Sequence, residues 1–295
     1  MGESAWLHAQ AAGVKALYQR QLVRGRVYAV DGSGLGDDFR LVALVCVSAT
    51  RPIIVAWRLL SGQASEKGQE AAVTHSLIDQ VLQVAGPQSI SLLADALYAD
   101  GPLAWLKYSK GIDALVSLPE DRLLYQDLQG LADGQLIDWT HHRYLRTIGG
   151  HKQVREVEVT AAGELTSWEG FRDAAALFGV PDASLWACLI RDVTTEEAAA
   201  EPPRALVSTR RFADGFAALQ AFRPRWHIED DAYRELKEGW GREQQRELGS
   251  APAVLYVAGC YGIFSLEELL DVLGSAPRES LLPTLAKPSF PTSPT

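Results

Sequence analysis

Cysteine is scarce in this sequence: Cys46, Cys188 and Cys260 are three in 295 residues. They are isolated, odd in number and embedded in apolar runs such as LVCV and WACLI. That spacing holds neither a disulfide framework nor a zinc site, and it reads as core residues of a reducing compartment. Long apolar runs are missing too. No window reaches the ~18 residues of a membrane span, and residues 1–26 lack the apolar stretch of a signal peptide. The expected setting is cytoplasmic. Positive charge is in deficit, with 28 Lys and Arg against 37 Asp and Glu and a net charge of −9. Such a balance argues against gripping a polyanion with the whole surface. It leaves room for a local basic groove, because Arg clusters within 204–211 and 223–225. Internal repeats are absent as well.

What remains is 47% hydrophobic, enough for one large domain or a domain with an insertion. Residues 1–24 carry an amphipathic helical pattern through Trp6, Leu7, Ala11, Val14, Leu17 and Tyr18. Three β-rich runs follow: 27–31 (VYAVD), 39–49 and 53–60. Their connections, the first of them the turn cluster GSGLGDD at 32–38, are too short for crossovers, so an antiparallel meander is predicted. A helical pattern spans 68–85 and stops at Gly86–Pro87. SISLLAD (89–95) is a strand ending in an acid, Gly101–Pro102 opens a helix, and 112–118 is another strand. The order is β-β-β-α-β-α-β, an α/β mixed sheet whose later strands run parallel to the first across right-handed crossovers.

This rhythm covers residues 1–119 and then lapses. Residues 120–195 read as a β-rich insertion, with strand-like pieces at 154–159 and 185–192 and a small helix around 172–178. Residues 196–282 return to the core: a polar loop at 196–203, a strand at 204–208, helical patterns at 213–221 and 222–245, and apolar helices within 254–273. The tail 283–295, with prolines at 283, 288, 291 and 294, has the composition of a disordered segment.

Three acids stand out. Asp31 and Asp95 close two strands predicted to be parallel neighbours, at the carboxyl edge where open α/β sheets place ligands. Glu229 lies on the apolar stripe of its helix with Ala232, Tyr233, Leu236 and Trp240, and Arg225 is one turn before it. Each acid also has a structural explanation. Asp31 can fix the GSG turn, Asp95 can cap a helix, and Glu229 can pair with Arg225. Jointly, three hard oxygen donors on separate rigid elements suit Mg²⁺ or Mn²⁺. A pair of such ions stabilises the attacking and leaving oxygens of a phosphoryl displacement.

Other candidates carry less. Asp100 suits a helix N-cap, and Asp37 and Asp38 suit a turn. The glycines of DGSGLG give GxGxG, with Asp37 where a dinucleotide fingerprint has its third glycine and a strand where that fingerprint has a helix. No nucleotide cofactor is expected. His141–His142 reads as a polar surface turn, and Trp226 as either core or a base-stacking platform.

VYAVDGSG, LLADALYAD (Asp95 with Tyr98 three later) and FRPRWHIEDDAYRELK, taken in order, resemble the DDE transposases of bacterial insertion sequences with a Tyr-Arg-Glu-Lys signature. The resemblance covers about residues 25–265. It implies a ribonuclease-H-like catalytic core interrupted by a β-rich insertion before the catalytic Glu helix. It also implies a site of Asp31, Asp95 and Glu229 holding two Mg²⁺ or Mn²⁺ ions. The implied reaction is hydrolytic nicking at element ends followed by 3′-hydroxyl attack on target DNA. The implied partners are double-stranded DNA and a second copy of the chain on it, near the bacterial nucleoid, with Phe222, Arg225 and Lys237 on DNA. Two departures are visible: Phe222 stands for the signature Tyr, and Lys237 lies eight positions after Glu229 where the pattern usually has seven. A relative that no longer cuts, or an unrelated Mg²⁺-dependent phosphoesterase, are the alternative readings.

Overall fold

The computed structural model describes residues 15, 18–19, 26–35, 39–48, 52–61, 69–85, 90–98, 101–148 and 151–229. The expectations for Lys237, Asp37, Asp38, Asp100, the helices within 254–273, the tail and most of the N-terminal helix lie outside those residues.

Strands β1 (Val27–Leu35), β2 (Phe39–Cys46) and β3 (Ile53–Ser61) form the antiparallel meander. Helix α1 (Gln69–Ala85) then crosses to β4 (Ser91–Ala94), which runs parallel to β1. A short helix α2 (Gly101–Ala104), prolonged by a π-helical turn at Trp105–Ser109, crosses to β5 (Asp113–Leu118), parallel to β4. One difference from the sequence reading bears on the site. β1 does not stop at Asp31 but runs on through Gly32–Leu35, because β2 continues to pair with it (Asp31 opposite Ala43, Leu35 opposite Phe39). Asp31 therefore lies inside its own strand, two residues beyond the last pair of the parallel ladder with β4.

Residues 120–195 extend the same sheet. Helix α3 (Leu123–Asp133), unforeseen in the sequence, buries Leu124, Tyr125, Leu128 and Ala132. These recur at helical spacing, but within an 11-residue segment that turn residues flank on both sides. β6 (Thr140–Ile148) and β7 (His151–Leu165) form a long hairpin. His141 and His142, read as a polar turn, sit in β6 opposite Glu158 and Val157. Polar residues there obscure the alternation, which is usual for an edge strand. After helix α4 (Glu169–Ala176) comes β8 (Leu185–Asp192), then a helical turn α5 (Glu196–Ala200) within the predicted loop, N-capped by Thr195, whose hydroxyl accepts from Ala198 N at 3.1 Å. β9 (Arg204–Ser208) inserts between β8 and β5, antiparallel to both. The described strands make one nine-stranded sheet in the order β3-β2-β1-β4-β5-β9-β8-β7-β6. Helix α6 (Gly215–Phe222) follows, capped by Asp214, which accepts from Ala217 N at 2.7 Å; a 3₁₀ turn at Arg223–Arg225 leads into helical conformation through Glu229.

Strand alternation divides the core into two layers. Tyr28, Val30, Leu44, Leu92 and Val116 face α1, α2 and α3. Ala29, Ala43, Leu93, Leu115 and Leu206 face α6 and Ile228. β8 is apolar on both sides, with Leu185, Ala187 and Leu189 in the first layer and Trp186, Cys188 and Ile190 in the second, which accounts for its unbroken run. Full burial pushes the Cys188 thiol up to about 12, fitting a core residue and not a reactive one. Among the described residues no helix is long and apolar enough to cross a membrane.

Leu189 is completely buried, so Leu189→Ala is expected to cost about 2–5 kcal/mol through lost burial and the cavity left behind. Urea unfolding monitored by tryptophan fluorescence reads this as a lower midpoint at unchanged slope.

Candidate active site

The site begins with register. β1 and β4 pair in parallel up to Ala29 and Leu93; Asp31 lies two residues further along β1, and Asp95 is the first residue after β4. Alternate residues of a strand share a face, so Asp31 emerges with Ala29 on the layer covered by α6 and Ile228. The chain after α6 delivers the third acid to that face.

Arg225 ties the parts together. It is buried, and its guanidinium donates to Glu229 Oε1 at 2.8 Å and to Asp31 Oδ2 at 3.4 Å, the latter across 194 residues of sequence. Asp31 also accepts from Gly32 N at 2.8 Å, and Asp95 Oδ1 accepts from Leu97 N at 2.9 Å as it opens the 3₁₀ turn Ala96–Tyr98. Two of the local roles foreseen for these acids are present, the Asp95 cap and the Glu229–Arg225 pair; the turn that Asp31 was expected to fix is instead strand, and Asp31 accepts from Gly32 N within it. Burial pushes the Asp31 carboxyl up to about 7; Arg225 and the Gly32 N–H oppose this, and the charges of Asp95 and Glu229 add to it. Among the described residues, no three His, Cys, Asp or Glu side chains stand in a metal-holding array. Arg225 bridges Asp31 and Glu229 with its own positive charge.

A cleft of about 820 Å³ is lined by Arg225 and by Ala96, the residue after Asp95, though not by Asp31, Asp95 or Glu229 themselves. Arg146, Arg155, Arg204 and Arg223 line it with Arg225, and so do Glu120, Asp121, Asp192 and Glu201. Its charge is thus mixed, and Arg155 is held by Asp192 at 3.5 Å. Two aromatics face the same space: Tyr144 lies under Arg223 (4.9 Å from the ring centre) and Trp226 under Arg146 (5.9 Å). Trp226 is 37% exposed, not core.

No family model matches the chain, and no curated protein matches it significantly. The chemistry must be read from the site itself.

Of the sequence candidates, Asp31, Glu229 and Arg225 are in one hydrogen-bonded group, and Asp95 acts on it electrostatically. Phe222 is buried at the end of α6 and lines the inner wall of the cleft. Sequence reasoning missed Arg146, Arg155 and Tyr144, which come from the insertion hairpin. It also missed Glu70, a buried acid at the start of α1 that pairs with Arg40. Tertiary pairing alone brings β6 and β7 over the cleft, although the alternating basic and aromatic residues of HHRYLR were a usable signal.

Asp31 makes stability depend on pH. Its folded-state value lies above the unfolded value of about 3.8, so between the two the native chain binds more protons than the unfolded one. Stability accordingly falls as pH rises from about 4 to about 7, and Asp31→Asn removes that part of the slope. Chemical denaturation of both proteins at pH 4, 5.5 and 7.5 measures it; parallel curves would count against a buried, strained carboxylate at 31.

Proposed function

We propose that the protein is a metal-dependent DNA strand-transfer enzyme of the DDE transposase type, working on double-stranded DNA as a homodimer. The observation that carries this reading is the Arg225 bridge, which gathers carboxylates from β1 and from the helix after α6 beside the strand-end Asp95. The order β-β-β-α-β-α-β, with β1 antiparallel to β2 and parallel to β4, supports a ribonuclease-H-like core. Burial keeps the Asp31 carboxyl at about 7, with the charges of Asp95 and Glu229 adding to the rise and Arg225 opposing it. Hard oxygen donors so gathered fit Mg²⁺ or Mn²⁺.

Asp31, Asp95 and Glu229 would hold the ions, which when bound supply a nucleophilic water and neutralise charge on the phosphate. The chain's own residues do the rest. Asp31 sits on β1, and Asp95 follows β4 and is tied to its turn through Leu97 N, so both are held by local structure before substrate arrives. Arg225 holds Asp31 and Glu229 together through its two terminal nitrogens. The cleft arginines carry the strand past the acids. In the nicking step the water oxygen bonds to phosphorus and the bond to O3′ breaks; the departing 3′-oxygen takes up a proton to become the hydroxyl used in transfer.

A second reading has its own support. A cleft of about 820 Å³ lined by both signs of charge is also the size of a small-molecule pocket, as an Mg²⁺-dependent phosphoesterase on a small substrate requires.

Two measurements separate these. Wild-type protein with Mn²⁺ is expected to nick supercoiled plasmid, and Asp31→Asn, Asp95→Asn and Glu229→Gln each to lose about 10³-fold or more, the scale of losing an essential electrostatic group. Activity retained in Glu229→Gln removes Glu229 from the mechanism, and a wild type that cleaves a small phosphodiester but no plasmid favours the second reading. A wild type inactive on both favours a relative that no longer cuts. Arg146→Ala is expected to weaken duplex binding and to lower the slope of log K against log salt by about 0.9, measured by fluorescence anisotropy.

A further inference from the structure

The metal-site reading uses the face of β1 that carries Asp31. The opposite face of the same strand holds a second arrangement that this reading does not use. Glu70, in the first turn of α1, is 2% exposed. Its carboxylate is ion-paired with Arg40 of β2. The carboxylate fills the space that a Cβ on Gly32 would occupy: such an atom would overlap all of its heavy atoms. Gly32 is the residue after Asp31, and its N–H is the one that Asp31 accepts. Neighbouring residues in a strand face opposite ways, so Glu70 meets the backbone of β1 from behind while the Asp31 side chain points forward. Arg40 stands opposite Gly34 in the β1–β2 ladder, so the pair also spans the hairpin.

The same turn of α1 reaches the other strand-end acid. Thr74 Oγ1 is hydrogen-bonded to the Glu70 carbonyl at 2.9 Å and to the Tyr98 hydroxyl at 3.2 Å. Tyr98 N donates to the Asp95 carbonyl at 3.2 Å, closing the turn whose first residues Asp95 caps. One helical turn thus abuts the peptide that follows Asp31 and holds the side chain three residues beyond Asp95. A buried charge pair is a costly way to fill such a space, where an apolar side chain of equal volume often serves as well or better. Its value lies in anchorage: the Arg40 pair holds the end of an otherwise flexible Glu side chain against the Gly32 backbone.

We infer that Glu70 is a positioning residue: held by Arg40, its carboxylate is the stop on which Gly32 seats, and with Thr74 and Tyr98 it sets the spacing of Asp31 from Asp95. This rests on the reading of those acids as a divalent-cation site. Glu70 itself touches no substrate and is not counted among the ligands.

The test is calorimetric titration of the full-length protein with Mn²⁺, without DNA, alongside thermal unfolding. Gly32→Ala drives a methyl group into the Glu70 carboxylate and is expected to weaken Mn²⁺ binding about tenfold or more, the scale of disturbing a group that orients ligands. Glu70→Asp draws the carboxylate back by one methylene. In the double variant Gly32→Ala/Glu70→Asp, affinity is expected to recover to within about threefold of wild type, the non-additivity of groups in direct contact. A purely structural role predicts a lower melting temperature in Gly32→Ala with unchanged Mn²⁺ affinity of the folded protein, and that result overturns the inference. So does a double variant no better than Gly32→Ala. If Gly32→Ala does not fold, Glu70→Asp and Arg40→Gln, which move or release the stop without crowding the strand, carry the same comparison, and wild-type affinity in both overturns the inference. A wild type that binds no Mn²⁺ overturns the cation-site reading and the role of Glu70 with it, whereas a binding wild type with unaffected variants overturns the role of Glu70 alone.

Discussion

The site depends on one electrostatic constraint: carboxylates buried against a sheet need positive charge brought to them. A charge in a low-dielectric setting is costly unless it is paired, and burial holds the Asp31 carboxyl above the ordinary range even with Arg225 beside it. Arg225 is therefore more than a local i, i+4 partner of Glu229. By reaching Asp31 it joins the end of the described chain to the first strand, and it fixes which way the helix after α6 presents its acid.

That constraint is met by sheet geometry. Two helical crossovers make β4 and β5 parallel to β1, and the charges of Asp95 and Glu229 reach Asp31 at that end of the sheet. The layer below is closed by α6 and Ile228, while the layer above is closed by α1. Each face has its own task. On the lower one Arg225 joins Asp31 and Glu229 and also lines an open cleft; on the upper one Glu70 backs Gly32 and Thr74 holds Tyr98. Strands β6 to β9 then lengthen the sheet on one side, which is how Arg146, Arg155 and Tyr144 come to line the same cleft as Arg225 from a region far off in sequence.

Hydrophobic period and turn residues made the first half of the fold legible. The meander, the two helical crossovers and the two strand-borne acids follow from alternation, from Gly86–Pro87 and Gly101–Pro102, and from connection lengths too short to cross over. In the 120–195 stretch the same signals failed for definite reasons. Edge strand β6 has one solvated side and no clean alternation. Helix α3 is short, with turn residues on both flanks. The long strand β7 alternates over only part of its 15 residues.

By itself, the sequence determined which residues were candidates, because residue type and local period are properties of the chain: three acids, and one arginine a turn before the last of them. Only the tertiary structure decided which of these meet. Arg225 bridging two acids, Glu70 pressed behind Gly32, and the insertion hairpin forming one wall of a cleft are all contacts between segments distant in sequence. Pairing between such segments leaves no periodic trace in either one; it arises from register and layer packing, which exist once the sheet has formed.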